Sequence, residues 1–382
     1  MKRSEGRILT THAGSLPRPQ PLVDLMAARS RGETVDQDAV NPLVEASTME
    51  VINKQAEAGV DIGNSGEQAR VSFSTYVTSR MSGFGGSWAR RGHRDYAELM
   101  GDRIIRPVDI LGNAPVCIGP VGYEELDEAT KECDDLIRHA SATSAKFQDL
   151  FMTAASPGII GTTIRNDYYA TYEEFVMSVA EEMRKEYELI VSKGLTLQLD
   201  CPDLAMERHG AYQDEPLSVF QEVVRLHIRA INHAVRNIPA ENIRLHVCWG
   251  NTESPHIYDV ALEDILPLLY EAKVGALVME MANPRHAHEH KVYQKYPLPK
   301  DMLLVAGVID SKTNYVEHPE VVADRLEQAV KAVGNDPTRV IACTDCGFGT
   351  SAGMVRVQPM VVWEKLKTMR EGAELASRTL GW

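Results

Sequence analysis

The stretch LTLQLD, residues 195–200, decides the fold. In an extended strand Leu195, Leu197 and Leu199 share one face while Thr196, Gln198 and Asp200 share the other. ALVMEM (276–281) repeats the pattern, with Glu280 on the same face as Val278. Strands with an aliphatic face and a partly charged face suit a closed barrel. The aliphatic face meets surrounding helices, and the polar residues line the upper interior, where active sites of that fold lie.

Working outward, nine short β-rich runs are predicted as strands: 7–12, 59–65, 114–121, 151–156, 195–200, 243–249, 276–282, 303–310 and 340–345. Between most of them lie segments with apolar residues at i, i+3 and i+4, as at 41–58, 170–193, 216–235, 257–272, 318–334 and 357–378. Such alternation implies a parallel sheet, either doubly wound or closed. A doubly wound dinucleotide-binding fold wants GxGxxG between its first strand and helix, and none occurs there. GFGG (83–86) and CGFGT (346–350) read as turns. The expectation is therefore an α/β fold, a single (β/α)₈ TIM-type barrel over residues 1–382. An excursion at about 78–125 carries glycines, SWARRGHRD and an extra strand at 114–121.

Composition excludes several classes. The 382 residues are 44% hydrophobic and 25% charged, as in an ordinary folded chain. A net charge of −14 repels phosphate backbones, and no basic stripe interleaved with aromatics counters it, so nucleic acid is excluded as a partner. No apolar run approaches the ~18 residues a membrane span needs, and the opening MKRSEGRILTTHAG is no secretory leader; a cytoplasmic location is expected. A homo-oligomer is compatible with all of this. Six cysteines are too sparse for a disulfide scaffold, so each is packing, ligand or catalyst; Cys117 and Cys133, without chemical company, read as packing.

HVCWGN (246–251) carries the chemistry. His246 and Cys248, two apart in a strand, point to the same side. Glu280 ends the next strand, and Cys346 follows the last one; in a closed barrel such strand ends converge. A His, Cys, Glu, Cys set is soft and of the size Zn²⁺ prefers. Two thiolates and a carboxylate leave the centre at −1, a poor activator of water but suited to binding a substrate thiol and keeping its sulfur nucleophilic. That chemistry is S-alkylation. The competing reading makes Cys343 and Cys346 a redox CxxC, but such motifs open a helix and Cys343 lies in a predicted strand. The histidines of NPRHAHEH (283–290) read as solvated surface.

On these motifs the chain resembles the catalytic half of cobalamin-independent methionine synthase and its stand-alone relatives. The resemblance is carried by the H-x-C strand, by Glu280 on the next and by Asp345-Cys346-Gly347 near the end. TTHAGSLPRP (10–19), SGEQ (65–68) and LQLDCPDL (197–204) resemble further motifs of the family in the same order. It implies zinc held by His246, Cys248, Glu280 and Cys346, and an amino-acid thiol held by Ser15, Glu67 and Asp200. It also makes the strand at 114–121 the inserted one, leaving eight. The partners implied are a small-molecule thiol, homocysteine-like, and an alkyl donor.

One run departs from the family. Where relatives carry DIHSPN, with a histidine that protonates the leaving folate nitrogen, this chain has DSKTN (310–314). Lys312, with Asp310 at the head of the same run, takes the place of the candidate catalytic acid. A lysine of pKa about 10.4 is a poorer acid than a histidine near 6.5, so the folate donor is not implied. The runner-up is an epoxyalkane:coenzyme M transferase-like reaction, in which Arg18, Arg70, Arg165 and Arg285 are candidates for a sulfonate. A third reading, a non-catalytic thiol-binding barrel or a uroporphyrinogen-decarboxylase-like relative sharing only the fold, is disfavoured by the complete donor set.

Overall fold

The computed structural model describes residues 1–31, 33–100, 114–143 and 146–382. Its strands are β1 (Leu9–Thr10), β2 (Ile62–Gly63), β3 (Met81–Trp88), β4 (Ala114–Tyr123), β5 (Asp149–Ala155), β6 (Arg165–Asn166), β7 (Thr196–Asp200), β8 (Ile243–Val247), β9 (Ala276–Glu280), β10 (Leu303–Ile309) and β11 (Val340–Thr344). Eight of them form one parallel sheet in the order β1-β11-β10-β9-β8-β7-β5-β2. A parallel bridge between Thr11 and Ile62 joins its two edges, so the sheet closes on itself. Surrounded by helices, it is the expected (β/α)₈ barrel.

The remaining strands make a side sheet in the order β3-β4-β6. Only β4 is anticipated from sequence. β3, MSGFGGSW, is rich in glycine and reads locally as turn; its strand character comes from antiparallel pairing with β4, a tertiary contact. Residues 101–113, the middle of the expected excursion, lie outside the described residues.

Two apolar layers confirm the face assignment that LTLQLD suggested. Leu197 and Leu199 pack outward with the helix residues, whereas Leu9, Ile62, Phe151, Val278, Val305 and Ile341 fill the barrel interior. The helices contribute stripes of the expected period: α1 (Tyr172–Ser192) starts at Thr171, whose side chain accepts from Glu174 N at 3.1 Å, and α2 (Leu217–Ala234) buries Phe220, Val224, Ile228 and Ile231. Among the described residues no helix is long and apolar enough to cross a membrane.

Above the interior layer lies a polar floor. Arg244 is fully buried, its guanidinium 3.6 Å over the Phe151 ring. It donates to Gln198 Oε1 (2.7 Å), Thr11 Oγ1 (3.2 Å) and the His12 carbonyl (3.1 Å), partners that an interior charge requires. Gln198 Nε2 in turn donates to Asp200 Oδ1 at 2.7 Å. The floor thereby fixes the first carboxylate of the site above it.

Candidate active site

β7 and β8 place Asp200 opposite His246 in register, at the carboxyl ends of the strands. Cys248 follows two residues on, and Cys346 follows β11. Ligand atoms of His246, Cys248 and Cys346 all lie within 4.8 Å of one another, and the three residues are buried. The hydrogen bond from Cys248 stabilises the Cys346 thiolate, and His246 adds to it against the cost of burial, so the pKa of Cys346 falls to about 5. The shared proton pushes the Cys248 thiol up, with burial adding to the shift. Burial opposes charge on His246, but hydrogen bonding and attraction to Cys346 outweigh it and raise its pKa. Its Nδ1 has no hydrogen-bond partner among the described residues.

These three residues line a cavity of about 170 Å³ together with Ser15, Glu67 and Asp200. Glu67 sits at φ +56, and its Oε1 accepts from Thr153 Oγ1 at 3.0 Å while Oε2 has no partner among the described residues. Burial raises the Glu67 pKa against nearby Arg70 and Arg18. Burial likewise raises Asp200, opposed by His246 and reinforced by the charge of Glu67, to about 7. Two carboxylates thus face one cavity with their charged forms incompletely compensated. Ser15 Oγ accepts from Gly349 N at 3.3 Å. Glycine is required at 347, because a Cβ there would lie 2.1 Å from Ser15 Oγ. At Gly14, where φ is +132, a Cβ would meet Glu67 Oε1 at 2.7 Å.

Glu280, Asp310 and Lys312 are not among the residues lining the cavity. Glu280 Oε1 accepts from Trp249 N (3.1 Å), and Oε2 accepts from Asn283 Nδ2 (3.2 Å) and from Lys312 Nζ (2.8 Å). Burial would raise the Glu280 pKa, but Lys312 holds it below the usual carboxylate value. For Lys312 burial works against the charge, and Glu280 more than restores it, leaving the pKa above the usual lysine value. An ammonium so held is a weak acid near neutral pH. Asp310 accepts from Lys312 N (3.0 Å) and Thr313 Oγ1 (2.6 Å), bonds that shape the turn. Glu280, expected as a fourth metal ligand, is not among the three residues whose ligand atoms converge, and its oxygens are engaged by Trp249, Asn283 and Lys312.

The four arginines proposed for a sulfonate do not line the cavity. Arg18 donates to the carbonyls of Gly349 and Glu67, Arg70 pairs with Glu132, Arg165 with Asp167, and Arg285 donates to the His256 carbonyl. The lining arginines are Arg90 and Arg356, which the sequence did not single out. Arg90 is paired with Glu207, while Arg356 has no acidic partner within ion-pair distance among the described residues. Asn251, which closes HVCWGN, donates to the Gly347 carbonyl at 2.7 Å and ties the two cysteine-bearing loops together. His286 is a further correction: far from being surface, it is buried and stacked on Trp249 with ring centroids 3.9 Å apart. All six cysteines are free thiols, and Cys343 lies in the apolar interior layer.

A closed parallel barrel whose strand ends gather thiols, an imidazole and carboxylates around one cavity defines a (β/α)₈-barrel enzyme. The chain belongs to the family described as "Cobalamin-independent synthase, Catalytic domain", whose model matches residues 8–375, and it is accordingly a transferase. It is 25% identical over 379 residues to a methionine synthase of Thermococcus kodakarensis, covering 97% of this chain and 94% of that protein. A methionine synthase of Pyrococcus furiosus is 27% identical, with 97% and 95% covered. Among solved structures, a B12-independent methionine synthase from Shewanella sp. W3-18-1, in complex with selenomethionine, superposes with a TM-score of 0.74 at 20% identity, covering 98% of this chain and 99% of that one.

Proposed function

We propose that this chain transfers a methyl group to the sulfur of homocysteine. The thiol is held beside His246, Cys248 and Cys346, and the amino-acid end lies between Glu67 and Asp200. The observation that carries this reading is the pairing of two buried carboxylates, both raised in pKa, with a thiolate group on the same cavity. A ligand with an ammonium at one end and a sulfur at the other answers both. The family and the names of the relatives support methyl transfer as the reaction.

The donor set fits Zn²⁺. Two thiolates and an imidazole are soft donors, and His246 Nδ1 is a buried nitrogen without a protein partner among the described residues. When bound, zinc supplies a Lewis acid that lowers the pKa of a substrate thiol. With Glu280 neutralised by Lys312, the protein contributes three ligands, the number that leaves a position for substrate. The residues of the chain do the rest. Ser15 and the Gly347–Gly349 loop shape the wall beside the sulfur, Glu67 and Asp200 orient the ammonium, and Asn251 keeps the loops of Cys248 and Cys346 in register. In the transfer the homocysteine S–H bond is lost to a base, an S–CH₃ bond forms, and the methyl–donor bond breaks with its electron pair passing to the donor. Arg356, unpaired on the lining, suits a carboxylate of the amino acid or of the donor. A sulfonate thiol would meet the two carboxylates instead, which disfavours the epoxide reaction.

The deciding experiment offers homocysteine and coenzyme M in competition, each with methyltetrahydrofolate and, separately, a short epoxyalkane, with products read by mass. Methionine as the product supports this reading. S-hydroxyalkyl coenzyme M as the sole product would replace it.

A further inference from the structure

Behind Trp249 a second group of side chains has no part in the reaction above. It comes from three segments: Asp95 from the segment after β3, His209 from the turns after β7, and Asp259 from the loop after β8. Ligand atoms of the three lie within 4.8 Å of one another. Asp95 and His209 are fully buried, and the Asp259 side chain nearly so.

Counting hydrogen-bond partners divides the surroundings of Asp259 into a closed half and an open half. Asp259 Oδ2 meets His256 Nδ1 and His286 Nε2, each at 2.7 Å. The other nitrogens of those rings meet the Thr252 carbonyl at 2.9 Å and Glu289 Oε2 at 2.8 Å. Burial opposes charge on His286, but its two carboxylate partners outweigh that and raise its pKa to about 9. This half is a satisfied ion-pair network, and it has no use for a metal even though its atoms converge.

The other half is unsatisfied. Neither oxygen of Asp95 has a hydrogen-bond partner among the described residues, and neither does Nε2 of His209. A fully buried carboxylate without partners among the described residues is costly unless a cation joins it. His209 Nδ1 engages Asp259 Oδ1 at 2.5 Å, which fixes the ring and leaves its opposite nitrogen free. A carboxylate holding one nitrogen while the other faces a metal is the usual setting of a metal-binding histidine.

We propose that Asp95 and His209 Nε2 form a second cation site, with Asp259 orienting the His209 ring from behind, distinct from the thiolate group, for a divalent first-row metal such as Zn²⁺ or Mn²⁺. One carboxylate and one imidazole nitrogen, with no thiolate, form a donor set that suits both, water completing the coordination. The site joins the segment after β3 to the barrel mouth. His93 of that segment lies on the cavity lining, its ring centroid 4.6 Å from that of His209, so a metal here would fix one wall of the substrate cavity without touching the reacting sulfur.

The test uses the full chain with Cys248→Ser and Cys346→Ser together, which disables the first group. It is dialysed against excess ZnCl₂ or MnCl₂, and its metal content is measured. One metal per chain is expected, and none after Asp95→Asn or, separately, His209→Gln is added; circular dichroism verifies that each variant is folded. Cobalt bound to the doubly substituted protein should show only weak ligand-field bands, with no sulfur charge-transfer band, and those bands should vanish in Asp95→Asn. Absence of metal from the folded, doubly substituted protein, or uptake unchanged by Asp95→Asn and His209→Gln, overturns the proposal. Because the thiolate group is already removed, either outcome is independent of the proposed reaction.

Discussion

Two polar clusters stand side by side at the mouth of this barrel, and both are built from residue types that bind metals. His246, Cys248 and Cys346 open onto a cavity and share hydrogen bonds with one another, while His246 Nδ1 has no partner among the described residues. His256, Asp259 and His286 meet equally closely, yet each nitrogen of the two rings has an oxygen partner. Convergence of donors is therefore a poor guide by itself. What separates a binding group from an internal salt bridge is whether the protein already satisfies the donors. The Glu280–Lys312 pair bears on the same point: a carboxylate that resembles a ligand in sequence lies 2.8 Å from a lysine ammonium in space.

The thiolate group should respond most strongly to substitution. Replacing Cys248 and Cys346 by serine should abolish methyl transfer, a loss well beyond about 100-fold, and remove one metal per chain with the fold retained. Elemental analysis and a turnover assay measure both, and retention of the zinc together with activity would equate the two clusters after all. Next in size, Lys312→Met leaves Glu280 buried without its cation and should lower stability by about 3–5 kcal/mol in denaturant unfolding. Adding Glu280→Gln should recover most of that loss. If the single variant is as stable as the parent, the pair is not what keeps Glu280 out of the thiolate group.

A smaller effect sharpens the role of the cavity carboxylates. Asp200→Asn should weaken homocysteine binding by about 2–3 kcal/mol, while an analogue lacking the amine should bind parent and variant alike in calorimetry. Equal losses for both ligands would detach Asp200 from the ammonium. Smallest is a pH dependence. The Asp200 pKa of about 7 in the folded chain lies above its unfolded value of about 3.9, so the folded state binds this proton more tightly. Stability from this group is then fully present below about pH 4 and is lost as pH rises through 7. Ammonium binding needs the carboxylate charged and follows the opposite course. Affinity for methionine should fall by about tenfold per pH unit below 7 and level off above it, and the slope should disappear in Asp200→Asn.

Much of this was legible without coordinates, for definite reasons. Alternation in LTLQLD and ALVMEM assigns faces through the two-residue period of a strand, and the barrel follows from where those faces must go. His246 and Cys248 were found because two residues apart in one strand already means one side. Ser15, Glu67 and Asp200 came from motif resemblance, and the fold brings them to a common cavity. Other features left no local trace. β3 looks like a glycine-rich turn until β4 pairs with it, and Arg90 and Arg356 reach the cavity from segments with no periodic signal.

The barrel class and the donor-bearing strand ends were readable in the sequence, because periodicity and short spacing act through the local backbone, whereas periodicity offered nine strands and the family resemblance reduced them to eight. Tertiary structure alone decided which donors remain available. Lys312 is 32 residues from Glu280, and Asp259 is 50 from His209 and 27 from His286. Whether a buried carboxylate is neutralised by a lysine, shared among histidines or left to face a cavity depends on such long-range neighbours, and burial makes that difference energetically large.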